Sequence, residues 1–494
     1  MRRAVLTVAG AVLLSGATAL AFFSGGYYAE PRLIAAIAVW ALVLALTLTG
    51  ESPLPRTLPG RLALGGLVLL TLWSALSVSW APLRGPAIEA VERLVLYTGA
   101  LLLAVGVLRT RAALRAVEPA LAASAAVVIG YGLAGRLLPG IVHLERSRSA
   151  DGRLEQPITY WNAEGALAAV GLVLCARLVA DRTRPLAVRI AAAAATAPLG
   201  AGVYLSYSRG AIAGAVLGLV LLVALAPTFA QLRASALALV AGAAAAATSA
   251  ALPGVASLAG SEPERDGAIA LAVLALLAGV AGLVAARSGG PDRPLPQPRR
   301  LRLAAAVVTA AVAVGLVAAG LGERPTAAEL AAGAQAGRLT TASSNRYEYW
   351  RVGLDAFQRK PLTGLGAAGF RVEWLRERTI PEAVRDAHSL EVEIAAELGL
   401  LGLVAFALMV TGMVLATRRA LRARAAAAAG PAAALSVWFL HASIDWDWQL
   451  PAVTLPAIVL AGALIAIAED PSATPGVDGI EPALRGERAP GGVR

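Results

Sequence analysis

Three short polar clusters interrupt an otherwise apolar chain, and each holds side chains able to do chemistry. The first is Asp386-Ala387-His388-Ser389, where the longest polar stretch meets an apolar run that continues through Glu391, Glu393 and Glu397 to Gly399-Leu400-Leu401-Gly402. Histidine exchanges protons near neutral pH, so His388 at the mouth of a membrane cavity suits a general base or a hydrogen-bond donor to a leaving group; a structural histidine at the interface is the alternative. Glu391, at the start of the run, reads as solvated, whereas Glu397 lies deeper and requires a partner. The second cluster, Ser206-Tyr207-Ser208-Arg209-Gly210, falls in a short turn between two apolar runs. An arginine at that depth is costly unless it is paired, faces water or snorkels to the interface. Its guanidinium stays charged and can grip phosphate oxygens in bidentate fashion, so Arg209 suits a diphosphate. The third holds His441, Asp445, Trp446, Asp447 and Trp448, ending at Pro451. The tryptophans read as interfacial anchors. Asp445 and Asp447 form a D-x-D pair of the kind that holds a divalent cation, but no further ligand accompanies them, so no metal and no cofactor are assigned. Gly364, Gly366 and Gly369 spell G-x-G-x-x-G, yet they follow a helix, not a strand, and read as a tight turn with close backbone packing.

The elements that must position these clusters are membrane helices. Of the 494 residues, 58% are hydrophobic and 15% charged, a balance outside the soluble globular class. About fourteen apolar runs approach the roughly 20 residues needed to cross a bilayer. They lie near 4–23, 33–49, 62–78, 88–108, 114–138, 163–180, 186–205, 212–227, 234–252, 268–286, 303–321, 390–417, 432–443 and 451–468. The fold class expected is therefore an all-α polytopic membrane protein of about 12–14 transmembrane helices with a large, partly helical extracytoplasmic loop. Residues 1–468 form the membrane domain, with outer loops at about 140–162 and 322–389, and 469–494 read as a disordered cytoplasmic tail. The first run, preceded by Arg2 and Arg3, reads as a retained helix, not a cleaved signal.

Arginines give the orientation. The net charge is +11, and Lys360 is the only lysine. Arg56 and Arg61; Arg109, Arg111 and Arg115; Arg182, Arg184 and Arg189; the arginines of 287–302; and Arg418, Arg419, Arg422 and Arg424 fall in alternate loops. The positive-inside rule makes those loops cytoplasmic and puts both ends of the chain inside. Positive charge spread over short loops excludes a nucleic-acid stripe. Cys175, the single cysteine, excludes a disulfide framework and a thiolate cluster. Both outer loops also carry arginine, including Arg153 in the first and Arg324, Arg338 and Arg346 in the second, which the orientation rule does not explain. Within the second loop, Asn345 with Glu348 reads as a capping box, followed by an apolar stripe of Tyr347, Trp350, Leu354 and Phe357 and a stop at Pro361.

Taken in order, these motifs resemble a known family. Trp161-Asn162-Ala163 within the stretch 156–165, Ser208-Arg209-Gly210-Ala211, then Arg346, Trp350, Pro361, Gly364, Gly366 and Phe370, then His388 with Glu397-Leu398-Gly399-Leu400-Leu401-Gly402 resemble the O-antigen ligase and O-antigen polymerase family over about half of the chain. The resemblance implies a metal-independent glycosyltransferase of the cytoplasmic (inner) membrane, with its active site facing outward. It would transfer or polymerise a glycan from an undecaprenyl-diphosphate carrier onto a glycan, lipid or protein acceptor. It also implies roles: His388 and Arg209 catalytic, Arg346 neutralising the diphosphate, and Ser208, Asn162 and Arg153 positioning donor or acceptor. The competing reading is a transporter or flippase of lipid-linked sugar or another anion, in which the outer arginines only guide the substrate; paired repeats and broken helices would favour it.

Overall fold

The computed structural model describes residues 1–289, 292–320 and 345–470. Arg324, Arg338 and the tail from 471 onward lie outside the described residues. Sixteen α-helices are described, in the order α1 Arg2–Ala21, α2 Ala29–Leu48, α3 Leu58–Ser77, α4 Arg84–Val107, α5 Arg111–Leu137, α6 Trp161–Ala180, α7 Leu186–Leu205, α8 Arg209–Leu225, α9 Phe229–Ala250, α10 Pro253–Ala256, α11 Pro263–Arg287, α12 Pro298–Gly320, α13 Arg346–Arg359, α14 Phe370–Glu377, α15 Leu390–Ala442 and α16 Pro451–Ala468. There is no β-strand among the described residues. Eleven helices are long and apolar enough to cross a membrane, and α8 follows at 17 residues. The chain is thus the all-α polytopic membrane protein expected of its composition.

The runs expected at 390–417 and 432–443 both fall within α15, whose helical backbone is interrupted at Gly399 and Arg424. Its two ends meet, because the Ser443 hydroxyl, just past its end, donates to Glu391 near its start at 2.8 Å. The segment is therefore a helical hairpin of two arms, with Arg424 at the far bend, where its guanidinium donates to Asp470 at 2.9 Å. Gly399 has φ 64° and ψ −159°, a backbone state open essentially only to glycine. The break lets the segment after α13 thread alongside: Leu400 N–H donates to Pro361 O at 2.7 Å.

Helices α6 and α16 are enclosed along their whole length, whereas α1, α2 and α11 keep most of their surface outward. A helix apolar all round is stable in such a centre, as it is against lipid. On the periphery, Ile34, Ile37, Leu44, Leu69, Leu72 and Leu76 point outward, as side chains facing lipid would. Packing of α3 on α15 depends on small residues: a Cβ on Gly66 would stand 2.2 Å from the Met409 backbone nitrogen, and one on Gly412 would stand 2.2 Å from that of Ala63. Membrane helices attract one another mainly by such close contact.

The arginine loops converge at one end of the bundle. Arg109 donates to Leu54 O at 2.7 Å, Arg115 to Thr183 O at 2.8 Å and Arg189 to Ser288 O at 3.1 Å; Arg184 pairs with Glu118 at 2.8 Å. Arg2 pairs with Glu51 and Arg424 with Asp470, so both ends of the described chain are held there. All three polar clusters lie at the opposite end. Gly66→Val or Gly412→Val should separate α3 from α15 and lower thermal stability in detergent by roughly 1–3 kcal/mol. A Cβ on Gly65 meets nothing within 4 Å, so Gly65→Ala, measured alongside, should leave the melting temperature nearly unchanged.

Candidate active site

The site forms where three elements end together: the start of α6, the start of α8 and the turn between α15 and α16. Its centre is Asp445, 1% exposed. Tyr160 OH donates to Asp445 Oδ1 at 2.6 Å, and the Trp446 N–H donates to the same oxygen at 2.9 Å. Asn162 Nδ2 and an Arg346 guanidinium nitrogen both donate to Oδ2, each at 2.7 Å. Asn162 also donates to Tyr160 OH at 2.8 Å. Burial disfavours the charge, but the Arg346 guanidinium, foremost among the opposing groups, outweighs it and keeps Asp445 below the ordinary carboxylate value. Arg346 itself keeps 23% of its side chain exposed.

Asp447 serves a different partner. His441 Nδ1 lies 2.5 Å from Asp447 Oδ2, and His441 Nε2 lies 3.2 Å from Ser208 Oγ. Ser208 is the N-cap of α8, and its Oγ accepts the Ala211 N–H at 3.2 Å. Arg209, half-buried, is the first helical residue after it. The two carboxylates that sequence spacing suggested as a cation pair are thus turned to separate tasks. Among the described residues no group of three or more His, Cys, Asp or Glu is arranged to hold a metal ion.

His388 sits at the edge of this cluster. At φ 54° it turns the chain from loop to helix. Its Nδ1 is 3.0 Å from the Asp386 carbonyl oxygen, and its ring lies 4.9 Å from that of Tyr349 and 6.4 Å from that of Trp446. Arg153 stacks its guanidinium 3.6 Å over the Trp161 ring and donates to the carbonyls of Ala150 and Ser149, both at 2.6 Å. It therefore buttresses the aromatic wall of Trp161, Tyr160 and Trp446. Of the residues expected from sequence, Asn162 and Arg346 are brought to one carboxylate, Ser208 joins the adjoining chain, and His388 and Arg153 reach the group through aromatic neighbours.

The loop that carries Arg346 and His388 is built differently from expectation. The capping box is not formed: the Asn345 side chain donates to Glu382 at 2.6 Å, and Glu348 binds Arg351 and Thr379. The expected stripe is also rotated. Tyr347 and Leu354 are exposed, Phe357 is half-buried, and α13 buries Tyr349, Trp350, Val352, Gly353 and Ala356. The physical reason is that the helix packs over Phe370, Trp374 and Ala387, with Glu348 as a buried polar anchor. Glu397 has the partners its depth requires: its carboxylate accepts the Ala368 N–H at 2.7 Å and the Phe370 N–H at 3.1 Å. This fixes the glycine turn. Gly366 N–H donates to Glu397 O at 2.8 Å. Glu391, expected to be solvated, instead accepts from Ser443 and Ser389.

Sequence reasoning missed Tyr160, and it named His441, Asp445 and Asp447 without assigning them to the site. The signal was present: ionisable groups at the end of an apolar run need partners. Residues 264–407 match the family model described as O-antigen ligase. That segment contains Arg346, His388 and Glu397, whereas Asn162, Arg209, His441 and Asp445 lie outside it. No curated protein matches the chain.

Glu348 offers a test of how the loop is held. Hydrogen bonds from Arg351, and then from Thr379, hold its carboxyl down from 4.5 to about 2 against the effect of burial. A depressed folded value means that the stabilisation is complete above the unfolded value and is lost as pH falls toward the folded one. Hydrogen exchange in α13, corrected for its intrinsic rate, should accelerate as pH drops from 4.5 toward about 2. Glu348→Gln should exchange fast already at about pH 6 and lack the acid step; an acid step unchanged in that variant would show that another group holds the helix.

Proposed function

From an O-antigen ligase domain at residues 264–407, which supports a glycan-transfer role of ligase or polymerase type, we propose that the protein transfers or polymerises a glycan carried on undecaprenyl diphosphate. The reaction takes place at the outer face of the cytoplasmic membrane. The observation that carries this reading is Arg346: a wholly buried carboxylate fixes its orientation while part of its surface stays open, in the cluster that His388 reaches through Trp446. Convergence of the loop arginines at the other end of the bundle supports the orientation through the positive-inside rule.

The chemistry follows from charge. As the acceptor hydroxyl attacks the anomeric carbon, the new carbon–oxygen bond forms and the bond to the diphosphate breaks, leaving the electron pair on the diphosphate. Arg346 and Arg209 stabilise that developing charge in a site of low dielectric. With its Nδ1 proton on the Asp386 carbonyl, His388 presents the Nε2 lone pair, which takes the proton of the acceptor hydroxyl. Asn162, with Tyr160, positions the carboxylate that aims Arg346, and Arg153 supports the wall behind them.

A labelled undecaprenyl-diphosphate oligosaccharide supplied to the purified protein should pass its label to acceptor. His388→Ala should lower kcat by roughly 100- to 10,000-fold, and Arg346→Ala should lower kcat/KM by roughly 100-fold or more. Transfer undiminished in His388→Ala would remove the histidine from the reaction.

A further inference from the structure

The chain Ser208, His441 and Asp447 is used by no step above, yet its geometry is specific. All three residues are buried, at 4%, 1% and 0% exposure. Ser208 Oγ already accepts the Ala211 N–H, so its own proton is available to His441 Nε2. That direction requires a neutral ring with its hydrogen on Nδ1, and Asp447 Oδ2, 2.5 Å away, is the acceptor that selects this tautomer. The whole chain then runs one way, from the cap of α8 to a carboxylate.

Such an arrangement is a poor device for stability. The second Asp447 oxygen, Oδ1, is buried without a hydrogen-bond partner among the described residues. Apolar side chains of similar volume commonly stabilise a protein as well as buried charged groups do. What the chain fixes is the start of α8. Gly210 packs directly on it, with a Cβ there falling 3.1 Å from His441 Cδ2 and 2.8 Å from Ile444 Cδ1. Between the cap and that glycine stands Arg209.

We propose that Ser208, His441 and Asp447 are a positioning relay that locks the α8 N-terminus and so aims Arg209 at the diphosphate of the donor. This rests on the anion-binding role given to Arg209 above. It also gives the short turn after α15 two functions: Asp445 orients Arg346 directly, and Asp447 orients Arg209 through His441 and Ser208. None of the three relay residues touches substrate.

Asp447→Asn tests the relay with almost no change of shape. The amide donates to His441 Nδ1, forces the ring proton onto Nε2 and reverses the bond to Ser208. With a labelled undecaprenyl-diphosphate oligosaccharide as donor, Asp447→Asn should lower kcat/KM for the donor about tenfold. In an Arg209→Ala background the same change should add almost nothing, because the residue it positions is gone. Ser208→Ala, at the other end of the relay, should give the same pattern and serves if Asp447→Asn yields no monodisperse protein. Effects of both changes that multiply in full on top of Arg209→Ala would overturn the relay alone. A wild-type kcat/KM for the donor in Arg209→Ala itself would overturn the anion-stabilising role of Arg209, and the relay with it.

Discussion

A carboxylate buried at the end of an apolar helix is the constraint on which this structure turns. Withdrawing one ion from water costs several kcal/mol even after the protein relaxes. Asp445 is tolerated because four donors converge on it from the start of α6, its own turn and α13. One donor, Arg346, is the first residue of the loop helix, so the pairing that makes the carboxylate tolerable also pulls the loop onto the bundle. Removing Arg346 leaves the charge uncompensated and removing another donor leaves it short of a hydrogen bond; this couples the packing of distant segments to the shape of the site.

The rest of the loop is held by the same logic, polar anchors in apolar surroundings. Glu397 takes backbone amides from the glycine turn, and Gly399 breaks α15 to make room for the strand of loop that supplies them. Trp73 Nε1 donates to the Leu398 carbonyl at 2.9 Å beside that break. Tyr349, Phe370 and Trp374 form a small aromatic core under α13, separate from the main core of the bundle. His388 thus stands on a rigid base between two cores, with its ring against Tyr349 on one side and Trp446 on the other. Preorganisation of that kind is what the proposed transfer, with a diphosphate as leaving group, requires.

Much of the bundle was legible in the chain because hydropathy is a local property: the spans from 33–49 to 268–286 each correspond to a helix, and the alternate arginine loops do meet at one end. Arg209 and Arg346 stood out for a related reason, as charges that orientation could not explain. What the chain hid was pairing over long distances. Asn162 and Asp445 are 283 residues apart, and Ser208 and His441 are 233 apart; nothing in local composition announces either contact. The same limit rotated the expected face of α13, since the apolar spacing of Tyr347, Trp350, Leu354 and Phe357 was real, but the neighbour that decided its burial, the Phe370–Trp374 core, was not visible locally. The D-x-D spacing suggested one shared ion because adjacent carboxylates were imagined facing one way, whereas the turn at 443–447 points them apart.

The central claim is that Arg346, aimed by Asp445, holds the diphosphate of a lipid donor. Native mass spectrometry of the purified protein with undecaprenyl diphosphate and undecaprenyl monophosphate measures this directly. The account predicts preferential retention of the diphosphate by the wild-type protein, and loss of that preference in Arg346→Ala and in Asp445→Asn. Equal retention of both lipids by the wild type, or a preference that survives in Arg346→Ala, would contradict it.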